Sequence, residues 1–144
     1  MRAPTTYIYA RARGFNREVV AKFFDTYESL MDKYKFPANN IYNVDEGRRQ
    51  VGCLTSAERG TSVTVVVCMN VTGSFVPPLF IWPRKRMKAE LMDGSPPGSI
   101  CVCHPSGWMQ LEIFSQWFDH FVTFSGASKS NPVLLILDGH STHV

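Results

Sequence analysis

Apolar positions along the chain change period several times, and each change marks an element. Val20, Phe24, Tyr27, Met31 and Tyr34 recur at spacings of four, three, four and three. That places them on one stripe of an amphipathic helix. Asn16 is a suitable N-cap, Phe15 before it a candidate staple residue, and Pro37 a stop. The stripe predicts a helix packed on a core. Ile41-Tyr42-Asn43-Val44 then reads as a short strand ending on Asp45-Glu46, and residues 47–60 read as polar and turn-like. Residues 61–69 are rich in β-branched side chains and predict a buried strand.

A turn with Thr72-Gly73 leads into a second strand over residues 75–82. There Pro77-Pro78 requires an edge or a bulge. The two strands predict an antiparallel hairpin. Residues 83–105, with Gly94, Pro96, Pro97 and Gly98, read as a loop, and Ser106 as a cap for the next helix. Ile113, Phe114, Trp117, Phe118, Phe121 and Val122 form a wide apolar stripe. Val133-Leu134-Leu135-Ile136-Leu137 is unbroken and suits a central strand covered on both faces. The order is helix, strand, hairpin, helix, strand, which predicts an α/β fold with a mixed sheet. The last strand lies parallel to the first through a crossover helix. Asp45 and Asp138 then end neighbouring strands on one side of the sheet.

Composition narrows the class. With 144 residues and 44% hydrophobic content, the chain can bury a core. No apolar run approaches the ~20 residues of a membrane helix, and the first residues lack the apolar stretch of a signal peptide. An intracellular protein with reduced thiols is expected. Net charge is +3, and the basic excess lies in the first two thirds, which permits a polyanionic partner. Cys101-Val102-Cys103-His104 hints at metal, but zinc sites space their cysteines by two to four and need a second pair. Arg84-Lys85-Arg86-Met87-Lys88 offers DNA-phosphate contacts or a nuclear import signal, against a solvated loop. Trp82 beside it is either a base-stacking residue or, as its strand-end position favours, part of the core.

Two carboxylates at one sheet edge supply oxygen ligands that Mg²⁺ or Mn²⁺ prefers. Aspartates also end strands simply to start turns, so spacing alone leaves Asp45 and Asp138 open. Ile41-Tyr42-Asn43-Val44-Asp45-Glu46 resembles the first acidic motif of the pogo/Tigger-like transposases of the DDE superfamily. Residues 55–61, 76–81 and 105–109 resemble successive blocks of that family in the same order. Leu135-Ile136-Leu137-Asp138-Gly139-His140-Ser141-Thr142-His143 resembles its second acidic motif, and residues 10–37 the stretch before its catalytic core. The resemblance implies a partial RNase H-like fold over residues 38–144, preceded by an arm and helix over 1–37.

It further implies Asp45 and Asp138 as catalytic metal ligands for Mg²⁺ or Mn²⁺, with Glu46 and His140 as accessory candidates. Asp138-x-His140-x-x-His143 as a zinc cluster is the weaker alternative. DNA is the implied partner, contacted by Arg84, Lys85, Arg86 and Lys88, and the nucleus the implied compartment. Two departures stand out. The connector after Asp45-Glu46 is shorter than in relatives, and nothing matches the family's third acid. Glu112 and Asp119 fall on the crossover helix, where they face solvent. The expectation is a truncated DDE-type domain that binds nucleic acid but is inactive alone. The rival reading is a non-enzymatic, transposon-derived interaction or DNA-tethering module.

Overall fold

A computed structural model describes residues 16–50 and 62–138. The motif at 55–61, Phe15, Cys53, His140 and His143 lie outside the described residues. The chain divides at Phe36/Pro37 into two units. In the first, α1 spans Arg17–Tyr34. The Asn16 side chain accepts from the Val19 N–H at 2.9 Å, as an N-cap should. The helix ends at Tyr34, before Pro37 is reached, because Lys35 turns into the left-handed region (φ 49°) with its N–H on the Met31 carbonyl. None of its residues is buried. The expected burial of the stripe is therefore absent, and Phe24 is 58% exposed.

The second unit is a five-stranded mixed sheet in the order β4-β3-β2-β1-β5. Its strands are β1 (Ile41–Gln50), β2 (Ser62–Asn70), β3 (Phe75–Trp82), β4 (Ile100–Cys103) and β5 (Leu134–Ile136), with α2 (Leu111–Ser125) before β5. β2 pairs antiparallel with both β1 and β3, whereas β4 joins β3 and β5 joins β1 in parallel. Four strands thus share one direction, and their C-terminal ends share one end of the sheet.

Side-chain alternation sorts the strands into two faces. On one face Tyr42, Val44, Val66, Cys68, Val76, Leu79 and Ile81 meet Met109, Ile113, Trp117 and Phe121, most of them from α2. Trp117 is fully buried, with its ring stacked on Phe121 at 5.6 Å. On the other face Val63, Trp82 and Leu91 form a smaller cluster, Leu91 coming from the 3-10 turn Ala89–Met92. Trp82 is accordingly a core residue.

Polar contacts fix the connections. Buried Thr64 donates to the Gly107 carbonyl at 2.6 Å. Gly107 has φ 65°, and a Cβ there would lie 2.8 Å from Pro83, so the turn into α2 requires glycine. His120 Nε2 donates to the Pro77 carbonyl at 2.9 Å, tying α2 to β3. Buried Asn40 donates to Asn131 Oδ1 at 2.7 Å and to the Pro132 carbonyl at 3.1 Å, joining the start of β1 to the entry of β5.

The hairpin, the crossover helix and the parallel return strand follow the sequence pattern. Four features differ. β1 continues to Gln50 because residues 45–50 pair with residues 62–67, so Asp45 lies inside a strand. Pro77-Pro78, by contrast, meets the expectation of a bulge, at a register shift opposite Val66 to Cys68 in a strand that is internal. β4 lies within the expected loop. Among the described residues β5 is an edge strand, its residues only partly buried. Ser106 does not cap α2, which starts at Leu111. Its Oγ accepts from the Trp108 N–H at 3.1 Å.

Candidate metal and nucleic-acid site

Asp45 projects from the sheet face opposite α2, as Asn43 and Gly47 do on the same strand. Together with Val65, Val67 and Met69 these residues line a shallow depression of about 490 Å³. Asp45 is exposed, and its Oδ1 accepts from the Glu46 N–H at 2.8 Å.

Asp138 follows β5, the parallel neighbour of β1. The pairing runs Ile41↔Leu134, Tyr42↔Leu135, Asn43↔Ile136. Asp45 and Asp138 each follow the last pair by two residues, Asp45 still within β1 and Asp138 beyond the end of β5 at Ile136. Neighbouring strands lie ~4.8 Å apart. Both aspartates are exposed.

The other candidates distribute differently. Glu46 alternates to the α2 face and is half-buried, so β1 does not bring its carboxylate to the face that Asp45 occupies. Glu112 and Asp119 are exposed on α2, beyond the sheet from Asp45. The donor set suits a hard divalent cation in kind, being carboxylate oxygen, and it supplies two residues. Among the described residues no three His, Cys, Asp or Glu side chains gather into a metal-holding group.

The basic run leaves the C-terminal end of β3, where Ile81 is level with Thr64 and Arg48, whereas β5 ends level with Asn43. Lys85, Arg86 and Lys88 are exposed and Arg84 is half-buried. The following turn, Ala89–Met92, folds onto the Asp45 face through Leu91. Two strand spacings, about 10 Å, separate β3 from β1, and the end of β3 stands three residues, about 10 Å, further along than Asp45.

Two features were hidden in the sequence. The Arg48 guanidinium lies 4.2 Å from the ring centroid of Trp108, which is 53% exposed. Cys101 and Cys103, both free, approach Met87. Burial pushes the Cys101 thiol up to about 11, with Cys103 adding to the shift. Burial also raises Cys103, while the Arg84 charge opposes it. Buried Cys68 is pushed up to about 12 by desolvation.

A hairpin beside a parallel strand returned by a crossover helix, with Asp45 on its open face, is a partial RNase H-like arrangement. The family of DDE superfamily endonucleases matches residues 60–144. That is more than half of the chain, and the chain belongs to this family. The chain is also similar to the MFS-type transporter clz9 of Cochliobolus lunatus, 25% identical over 130 residues. The match covers 77% of this chain and 14% of that protein, so the chain spans a small part of this curated relative. Among the described residues no helix is long and apolar enough to cross a membrane. No solved structure matches the chain.

Proposed function

We propose that this chain is part of the catalytic core of a pogo/Tigger-like DNA transposase, in which Asp45 and Asp138 hold Mg²⁺ or Mn²⁺ against a DNA phosphodiester. The observation that supports the reading is the parallel β1–β5 register, whose last pair, Asn43 and Ile136, precedes Asp45 and Asp138 by two residues each. A bound divalent ion supplies Lewis acidity, activating a water or 3′-hydroxyl and stabilising the leaving oxygen. The chain's own part is to fix two carboxylates on rigid strands and to hold flanking phosphates with Arg84, Lys85, Arg86 and Lys88. Such a partner places the protein's work in the nucleus.

Residues 1–144 alone do not cleave DNA in this reading. Ions held by two carboxylates are under-coordinated and exchange readily for water, and the attacking and leaving oxygens are no longer clamped together. Glu112 and Asp119 do not complete the set, because the sheet stands between them and Asp45. The test is incubation of the purified chain with supercoiled plasmid and each metal, beside Asp45→Ala. The expected result is intact plasmid in both. Metal-dependent nicking that Asp45→Ala abolishes would mean that a further group, such as His140, completes the site.

A further inference from the structure

Away from the carboxylates, three sulfur atoms meet at the outer edge of the sheet. Cys101 and Cys103 are alternate residues of β4, so both thiols leave the strand on one face. Their pairing with Phe80 and Trp82 makes that the face of Val63 and Leu91. The segment after β3 passes over this edge and brings Met87 onto both cysteines. Its Sδ is 3.4 Å from Cys101 Sγ and 3.8 Å from Cys103 Sγ. Met87 is 50% exposed, and both thiols are partly accessible and free.

We propose that Met87, Cys101 and Cys103 form a three-coordinate site for copper(I). Thiolate and thioether are soft ligands, and that set selects copper(I) over hard divalent ions. Size agrees as well. With metal–sulfur bonds of about 2.3 Å, trigonal coordination separates the sulfurs by about 4 Å. Met87 Sδ already stands within about 0.6 Å of that separation from each thiol, at 3.4 and 3.8 Å. Zinc is disfavoured because it takes four N, O or S ligands in a tetrahedron. His104, next along the strand, is engaged elsewhere, its Nδ1 lying 2.7 Å from Ser106 Oγ. On binding, each thiol releases its proton to solvent and the two thiolates and the cation carry a net single negative charge. Met87 belongs to the basic run, so an occupied site pins residues 84–88 to β4. The inference is independent of the carboxylates.

The experiment is anaerobic titration of the full chain with copper(I) against a colorimetric copper(I) chelator, with copper-edge X-ray absorption on the product. One copper per chain with three sulfur neighbours is expected. Cys101→Ser and Cys103→Ser each abolish the complex, whereas Cys53→Ser leaves it intact. Met87→Leu reduces the sulfur neighbours to two and shifts the competition towards the chelator. Copper(I) also slows tryptic cleavage after Arg84, Lys85, Arg86 and Lys88 in the parent chain but not in Met87→Leu. All three residues are at least partly exposed, so these variants keep the fold, which circular dichroism checks. Copper retained by the Cys101→Ser/Cys103→Ser double variant would overturn the proposal. So would two sulfur neighbours in the parent chain, or cleavage that copper leaves unchanged.

Discussion

If the 84–88 segment carries the DNA contacts, salt dependence counts them. Each phosphate neutralised on B-DNA contributes about −0.9 to the slope of log affinity against log salt. Lys85, Arg86 and Lys88 are exposed, which gives a slope of about −2.7; adding half-buried Arg84 gives about −3.6. Raising salt from about 50 to about 200 mM then weakens binding roughly 40- to 150-fold. The perturbation is Lys85→Gln/Arg86→Gln/Lys88→Gln. No packing is lost at these positions, so circular dichroism and melting stay unchanged while the slope falls towards zero. Fluorescence anisotropy with labelled duplexes over a salt series reads it directly. Unrelated duplexes of one length bind alike, because phosphate contacts carry no sequence information. A triple variant with the parent slope would refute the assignment and move the contacts elsewhere. A slope much steeper than −4 would mean that cations outside the run share them.

Three further outcomes test the fold that holds the site. Trp117→Ala removes a fully buried ring that stacks on Phe121 and lies tilted against Phe114 and should cost about 3–5 kcal/mol in urea unfolding, a large share of a domain's usual margin. Asn40→Leu removes the hydrogen bonds to Asn131 and Pro132 and should cost about 1–3 kcal/mol, with amide exchange rising first in β5. Cys68, 1% exposed, has its thiol raised from 9.0 to about 12. The folded state thus holds that proton more tightly. Its contribution is complete below pH 9.0 and is lost as pH rises towards 12, at about 1.4 kcal/mol per pH unit. Denaturant titrations at alkaline pH should show this slope in the parent relative to Cys68→Ala, and equal slopes would refute it.

Much of the sheet was legible because its strands obey simple rules. Residues 61–69 are dense in valine, residues 75–82 follow a turn with glycine, and the 133–137 run is bounded by proline and aspartate. β1 was cut short because Asp45-Glu46-Gly47-Arg48 looks like a turn in isolation. What extends it is pairing with β2, a non-local contribution that local propensity does not contain. β4 was missed since four residues flanked by Gly98 and Pro105 carry too little periodicity. β5 reads as central because its run is apolar throughout, and the described sheet places it at an edge. The aspartates were legible as strand-associated acids, and the resemblance singled them out. The parallel register of the strands that lead to them is a non-local pairing, which sequence fixes only through parity. The Met87 contact lay beyond reach, since a loop return has no period at all.

The exposure of Asp45 inside a long strand is itself informative. A charged side chain mid-strand must find water, a partner or an ion. Among the described residues α2 covers one face of the sheet, and the turn Ala89–Met92 covers the Val63–Trp82 end of the other. Between that turn and β5 the Asp45 face carries Val67 and Met69, 41% and 43% exposed. Apolar neighbours beside two carboxylates would be a poor choice for a surface meant only to be wet. In the proposed pairing of Asp45 with Asp138 they would lower the local dielectric and sharpen the repulsion between the two carboxylates, which a cation relieves. Replacing Asp45 by Asn, which keeps shape and removes charge, should therefore stabilise the metal-free chain slightly while weakening its affinity for Mn²⁺. A loss of stability without metal, measured by the same urea titration, would show that Asp45 is held by partners and is not strained by its neighbour.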